Sequence, residues 1–399
     1  MPLPLAGLRI LAAEQLGAGP FGTMLLADLG AEVIKIEDPA AGGDSARQVP
    51  PYLNPSREND SLYFQSLNRN KKSLTLNLRS VEGQAILHRL AATADVMFNN
   101  LRGDLPEKLG LTYRHLSPAN ARIVCVSCSA YGTHSSMAAE PGYDYLFQGR
   151  TGMMALTGEP DGPPTKSALS MVDFSSGLTA MIGLLAAVHA ARRDGIGRDV
   201  DVSLLGTSIS VLSYLATWAL SSDYHPQRLG RSQHPSLVPV GVFRTRDGWI
   251  ILMCMKQSFF ERLCEELGRP ELLTDPRFCS LSARLAHRAE VNAVLDQELS
   301  RGPTEEWLAR LRGKLPCGPI YSLEQALQDP LVEELGMIWE VDHPEFGAVR
   351  QAGSPITMTE GIREQQRRAP FLGEDTETLL REVGIGPEEA AELRQRKII

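Results

Sequence analysis

Residues 8–37 read LRILAAEQLGAGPFGTMLLADLGAEVIKIE, and the pattern within them decides the fold. Leu8-Arg-Ile-Leu-Ala is a short apolar run of strand length. Phe21 to Leu29 places apolar residues at helical spacing, and Val33-Ile-Lys-Ile-Glu37 is a second strand. Further along, Ser73-Leu-Thr-Leu-Asn-Leu alternates as a strand, Val81 to Ala94 returns to helical periodicity, and Val96-Met-Phe and Ile123-Val-Cys-Val are two more strands. Strands separated by helices imply a mainly parallel sheet covered on both faces, so the expected fold class is α/β with a large Rossmann-like domain.

The same opening stretch contains Gly17-Ala-Gly19-Pro-Phe-Gly22, with Glu37 closing the next strand. That is the outline of a dinucleotide-binding fingerprint, with glycines beside a pyrophosphate and an acid for the ribose. Two features pull against it. The apolar strand ends at Ala13, leaving Glu14-Gln-Leu16 before the first glycine, and Glu37 arrives sooner than the usual ~20 residues. The plainer reading is a set of turn residues leading into a helix.

With 399 residues, 43% hydrophobic and 22% charged, the chain has material for two domains. Its net charge of −8 and lack of a basic tract argue against nucleic acid as a partner. Cys125-Val-Ser-Cys128 lies in a β-branched run, where residues three apart point to opposite faces, and no second pair completes a zinc site. The histidines form no metal-binding pair, and His88 and His189 read as structural. No metal is expected. The apolar stretch from Leu178 to Ala191 is short of the ~20 residues of a membrane span. No membrane partner and a cytoplasmic location, with reduced thiols, are expected.

After Asp173 an apolar helix runs to about Arg193, and Asp199-Val-Asp-Val-Ser resumes the strands. Prolines and polar residues between 222 and 240 mark a change of domain, and Asp247-Gly248 sits at the turn of a hairpin that opens a smaller α+β unit. The expected organisation is a large domain of residues 1–200 and 330–399, a linker at 200–225, and a small domain at 225–325.

Three later stretches carry the chemistry: Pro141-Gly-Tyr143-Asp144-Tyr-Leu-Phe-Gln148, Leu156-Thr-Gly-Glu-Pro-Asp-Gly-Pro-Pro164 and Val172-Asp173-Phe-Ser-Ser-Gly177. Around them stand Leu26 to Glu37, Asn68-Arg-Asn-Lys71-Lys72-Ser73, Asn100-Leu-Arg102, Lys108-Leu-Gly110, Leu273 to Phe278, Pro316-Cys-Gly-Pro319 and Leu372-Gly-Glu-Asp375. In order and spacing, over nearly the whole chain, these resemble the class III (CaiB/BaiF) coenzyme A transferases, a family that also holds α-methylacyl-CoA racemases and formyl-CoA transferases. The resemblance implies two interlocked chains, hence a homodimer. It implies an acyl-CoA donor and a carboxylic acid acceptor, with coenzyme A entering as substrate and no tightly bound cofactor.

By this resemblance Asp173 is the nucleophile. A carboxylate suits the task, because an acyl anhydride and then an aspartyl-CoA thioester both keep the group-transfer potential that a serine ester would lose. Its place near the start of an apolar helix favours negative charge, although an aspartate there is also an ordinary helix cap. The racemases place a histidine where this chain has Tyr143, and two-base proton exchange is ill served by a phenol of ordinary pKa near 10. Asp144 is expected either to help organise the site or to serve as a structural carboxylate. Coenzyme contacts fall to Gln15, Ala18, Lys71, Lys72, Leu76, Asn100, Arg102 and Lys108, with Tyr143 and Asp144 beside them. Gly17 departs from the glutamine of formyl-CoA transferases, and the hairpin carries only Gly241 and Gly248, not a glycine-rich lid. Both departures weigh against formyl-CoA or oxalate. Relatives with the Leu156–Pro164 pattern often use succinyl-CoA and small dicarboxylates. The expected activity is transfer of coenzyme A from an acyl-CoA to a free acid. An acyl-CoA racemase, a nicotinamide-dependent oxidoreductase built on Gly17, Gly19 and Gly22, and a non-catalytic coenzyme-binding scaffold stay open as alternatives.

Overall fold

A computed structural model describes residues 2–53, 61–345, 347–358 and 366–399. Its main sheet has six parallel strands: β1 (Arg9–Ala13), β2 (Glu32–Glu37), β3 (Lys72–Thr75), β4 (Val96–Asn99), β5 (Val124–Ser129) and β6 (Arg198–Ser203). They lie in the order β3-β2-β1-β4-β5-β6, so the chain reverses its direction of travel across the sheet between β1 and β4. The central strands are uniformly buried, as continuous apolar runs such as Val-Met-Phe require in a sheet covered on both faces.

One face is closed by Leu74, Leu87, Leu90, Met97 and the C-terminal Leu379, Leu380 and Leu393. The late segment also caps the edge of β3. The Ser73 N–H donates to Asp375 Oδ2 at 2.9 Å, and the Thr75 N–H donates to Thr376 Oγ1 at 3.0 Å. Two donors of an edge strand are thereby taken out of reach of another chain.

Two compact units partition the chain. One comprises Met1–Thr151, Ala168–Ser213 and Glu333–Ile399, and the other Gly152–Ser167 and Tyr214–Val332. In the second, β7 (Val240–Arg244) and β8 (Trp249–Met253) form the hairpin, and β9 (Cys317–Pro319) pairs with β8. Phe243, Ile250, Phe260, Leu295 and Trp307 fill its core. The first unit also holds an antiparallel ribbon of β10 (Ile338–His343) and β11 (Gly347–Ala352), which the mixed polarity of that segment concealed.

On the other face of the main sheet the Met171–Asp194 helix packs against β5, β6 and the Ala18–Asp28 helix. It is long and apolar enough to meet the length and composition of a membrane span, and part of its surface is buried in this packing. The two helices approach at glycine. A Cβ on Gly177 would stand 2.2 Å from the Ala18 carbonyl oxygen, and one on Gly22 would stand 2.9 Å from the Gly177 oxygen. Neither helix can take a side chain there without moving apart. Gly177→Ala is therefore expected to lose about 1–3 kcal/mol of stability despite the better helix propensity of alanine. Urea unfolding checks it, and an unchanged midpoint would refute the close contact.

Candidate active site

The loops that follow the strands build the site. Gln15 to Gly17 follow β1, Arg79 lies beyond β3, Asn100 to Arg102 follow β4, Ala130 follows β5 and Leu204 follows β6. Together with Asp173 and Tyr143 they line a cleft of about 370 Å³. This is the crevice at the carboxyl ends of the strands, where the strand order reverses and open α/β sheets bind ligands.

The loop after β1 is held rigidly. The Gln15 N–H donates to Asn100 Oδ1 at 2.8 Å, and Asn100 Nδ2 donates to the Gln15 carbonyl at 2.7 Å. Leu16 adopts a left-handed φ of 59° and donates its N–H to Asp44 Oδ1 at 3.1 Å. Beneath the loop lies a dry cluster of charge. Lys35 pairs with Asp44 at 2.8 Å and Lys71 with Glu14 at 2.7 Å, all four side chains fully buried. Burial pulls the Lys71 ammonium down to about 8, with Glu14 opposing the fall. Burial also opposes the Lys35 charge, yet Asp44, Glu14 and Glu37 hold it above the ordinary lysine value. Such ions are tolerated inside only because each is paired and hydrogen-bonded.

Asp173 sits in the first turn of the Met171–Asp194 helix, two residues beyond the start, and is not its cap. Its N–H donates to Asp144 Oδ2 at 2.9 Å, and Gln148 Nε2 donates to Asp144 Oδ1 at 2.5 Å. Asp144 is buried at the start of the Asp144–Arg150 helix and makes no ion pair among the described residues. Burial first, and then the Asp144 charge, push the Asp173 carboxyl up to about 7. A Cβ on Gly17 would come within 2.6 Å of Asp173 Oδ2. Glycine is what lets the loop lie against this carboxyl.

The glycine motif therefore has a different use from the one its spacing suggests. Gly17 faces Asp173, Gly19 faces the Phe98 ring and Asn100, and Gly22 faces the backbone of Gly177. The three glycines serve close packing against Asp173, Asn100 and Gly177. Glu37 is likewise spent: Arg47, Ser73 and the Asp44 N–H take both of its oxygens, and against the opposing effect of burial Arg47, the Lys35 charge and Ser73 hold it down at about 2. The nicotinamide reading loses its physical basis.

Of the residues singled out in the sequence, Gln15, Ala18, Asn100, Arg102, Tyr143 and Asp173 line the one cleft. Arg102 is held by Asp104 at 2.6 Å. Leu76 lines an adjoining cavity of about 260 Å³. Lys108 borders an open hollow of about 520 Å³ and pairs with Asp104 at 2.6 Å. Lys72 turns instead to Glu32, at 2.5 Å. Lys71 is sealed beneath the β1 loop and cannot meet a phosphate. Cys125 and Cys128 are buried thiols, and burial raises both well above the ordinary cysteine value.

Two residues escaped sequence reasoning. Arg79 lines the cleft, the adjoining cavity and the open hollow, and its guanidinium makes no ion pair among the described residues. Its position just past β3, at the binding end of the sheet, was the available signal. Tyr63 lies close enough to Asp173 that burial and then the Asp173 charge push its phenol up to about 12. Nothing in its sequence neighbourhood marks it.

With Asp173 as the expected nucleophile, a carboxyl pushed up to about 7 would tie activity to pH. Steps that need ionised Asp173 rise as pH climbs through about 7, and Asp144→Asn, which removes the neighbouring charge, should move that limb of the kcat/KM profile to lower pH. The raised value also exceeds that of the unfolded chain. Its destabilising effect is absent below about pH 4, grows between there and pH 7, and is complete above. Asp173→Asn should thus melt a few degrees above the natural protein at pH 8 but level with it at pH 4. Equal Tm differences at both pH values would rule out the raised carboxyl.

Comparison with known proteins agrees with this geometry. The profile described as CoA-transferase family III matches residues 5–376. The succinate–glutarate CoA-transferase of Agrobacterium fabrum is 34% identical, covering 95% of this chain and 96% of its own. The acetyl-CoA:oxalate CoA-transferase of Acetobacter aceti is 34% identical, covering 95% of each chain. The crystal structure of a CaiB/BaiF family protein from Brucella suis superposes with a TM-score of 0.81 at 32% identity, over 96% of this chain and all of that one. Sheet order, cleft and likeness over the whole length converge on one assignment, and this chain belongs to the class III coenzyme A transferases.

Proposed function

We propose that this enzyme moves coenzyme A from a small dicarboxylyl-CoA, of the succinyl-CoA kind, to a free dicarboxylic acid through a thioester on Asp173. The observation that carries the proposal is the Asp173 carboxyl, facing the cleft at a helix N-terminus with no cation paired to it among the described residues. An Asp173 oxygen attacks the thioester carbonyl, the C–S bond breaks, and a mixed anhydride and a thiolate result. The thiolate attacks the aspartyl carbonyl, the anhydride C–O bond breaks, and the first acid leaves as its carboxylate. A second acid reverses both steps, returning Asp173 to its starting form. The N-terminal dipole of the helix stabilises the negative charge that passes over this carbon at each step.

Arg79 is the residue best placed for the coenzyme's diphosphate, because it is unpaired and lines both the cleft and the neighbouring cavity. Gln15, Ala18 and Asn100 would line the path of the pantetheine arm, with Leu76 beneath the nucleotide. Arg102 and Lys108, each partly neutralised by Asp104, would contribute less. Relatives that act on succinate, glutarate and oxalate support an acceptor with two carboxylates. Tyr143 in place of a histidine supports transfer over racemisation.

We also infer that the working form is a homodimer. Leu178, Ile182 and Leu185 form an exposed apolar stripe on the Met171–Asp194 helix, which a second copy would cover.

Incubation with a panel of acyl-CoA thioesters and carboxylic acids, read by mass spectrometry, should yield new acyl-CoA species with succinyl-CoA and glutarate among the better pairs. Asp173→Ala should lower exchange by at least about a thousandfold while leaving the fold intact. Borohydride should trap the natural protein at position 173 only when a thioester is present. Full exchange by the variant would overturn the nucleophile.

A further inference from the structure

We infer that Asp38 reads the ribose of the bound coenzyme, and that the enzyme handles thioesters lacking the 3′-phosphate about as well as those carrying it. This rests on the transferase reading above and concerns the other end of the same substrate.

The cavity that adjoins the catalytic cleft lies beyond the carboxyl ends of β1 to β4. Ile36, Leu76, Leu78, Leu101 and Leu105 give it apolar walls, the shape and polarity that a purine needs. At the end of the second strand of such a sheet, an acid hydrogen-bonds an unphosphorylated ribose, whereas a phosphorylated one calls for an arginine. Two acids stand there in this chain. Glu37 has both oxygens taken by Arg47, Ser73 and the Asp44 N–H. The next residue, Asp38, lines the cavity and is only half-buried. One of its oxygens accepts the Ala40 N–H at 2.9 Å, and the side chain makes no ion pair among the described residues. It is the acid that remains available to a ribose hydroxyl.

The cations nearby are committed elsewhere. Arg47 is locked onto Glu37 and the Pro370 carbonyl, with its guanidinium 3.8 Å from the centre of the Phe64 ring. Lys35 is buried against Asp44. Arg79, the cation in the cavity's described lining, also borders the catalytic cleft, and the transferase reading above assigns it to the diphosphate. A 3′-phosphate on a ribose held by Asp38 meets a like charge and gains no partner.

The test compares kcat/KM for succinyl-CoA and succinyl-3′-dephospho-CoA with glutarate as acceptor. The natural protein should show a ratio within about fivefold of one, and Asp38→Arg should move the ratio at least about tenfold toward the 3′-phosphorylated thioester. Should Asp38→Arg not fold, Asp38→Asn, which keeps an acceptor for the Ala40 N–H but removes the charge, should move it the same way. A larger preference of the natural protein for succinyl-CoA, or a ratio unmoved in the folded variant, overturns the inference and leaves the transferase reading standing. Exchange of neither thioester with any acid overturns the transferase reading itself.

Discussion

The site depends on one steric fact: two helices meet at bare backbone. Gly22 and Gly177 let the Ala18–Asp28 and Met171–Asp194 helices touch without an intervening side chain. That contact brings the N-terminal ends of both helices to one place, with the Asp173 carboxyl against Gly17. The positive ends of the helix dipoles favour charge on this carboxyl, while burial and Asp144 disfavour it. The second pair prevails, and the result is a carboxylate more basic than usual. A more basic carboxylate is a stronger nucleophile toward a thioester, and this one lines the cleft.

Holding the neighbours of Asp173 still requires a costly arrangement underneath. Glu14, Lys35, Asp44 and Lys71 are ions without solvent, tolerable only as pairs. Their arrangement has a visible output at the surface. Asp44 fixes the Leu16 N–H and with it a left-handed backbone that a leucine would otherwise avoid. The Gln15–Asn100 exchange of hydrogen bonds ties that loop to the end of β4. A substrate entering the cleft meets loops already ordered, so little conformational freedom is lost on binding.

The sheet order is that of dinucleotide-binding folds, yet the glycine-rich turn serves another purpose. In this chain it accommodates the Asp173 carboxyl and a neighbouring helix. A crevice still opens at the reversal of strand order, because that location follows from topology and not from the glycines. The loop beyond β3 adds an arginine, Arg79, to the lining of this crevice.

The sequence alone determined the alternation of strand and helix, the parallel sheet, the hairpin around Asp247-Gly248 and, through the motifs around Tyr143 and Asp173, the family. These are legible because local periodicity and short contiguous motifs record them. Only the tertiary structure decided which glycine faces which group, that Lys71 is buried and Arg79 free, that Glu37 is spent and Asp38 available, and that Tyr63 lies near Asp173. Adjacent lysines and adjacent acids look alike in a string of residues. Their fates part when the chain packs, because desolvation and ion pairing depend on neighbours tens to hundreds of positions away.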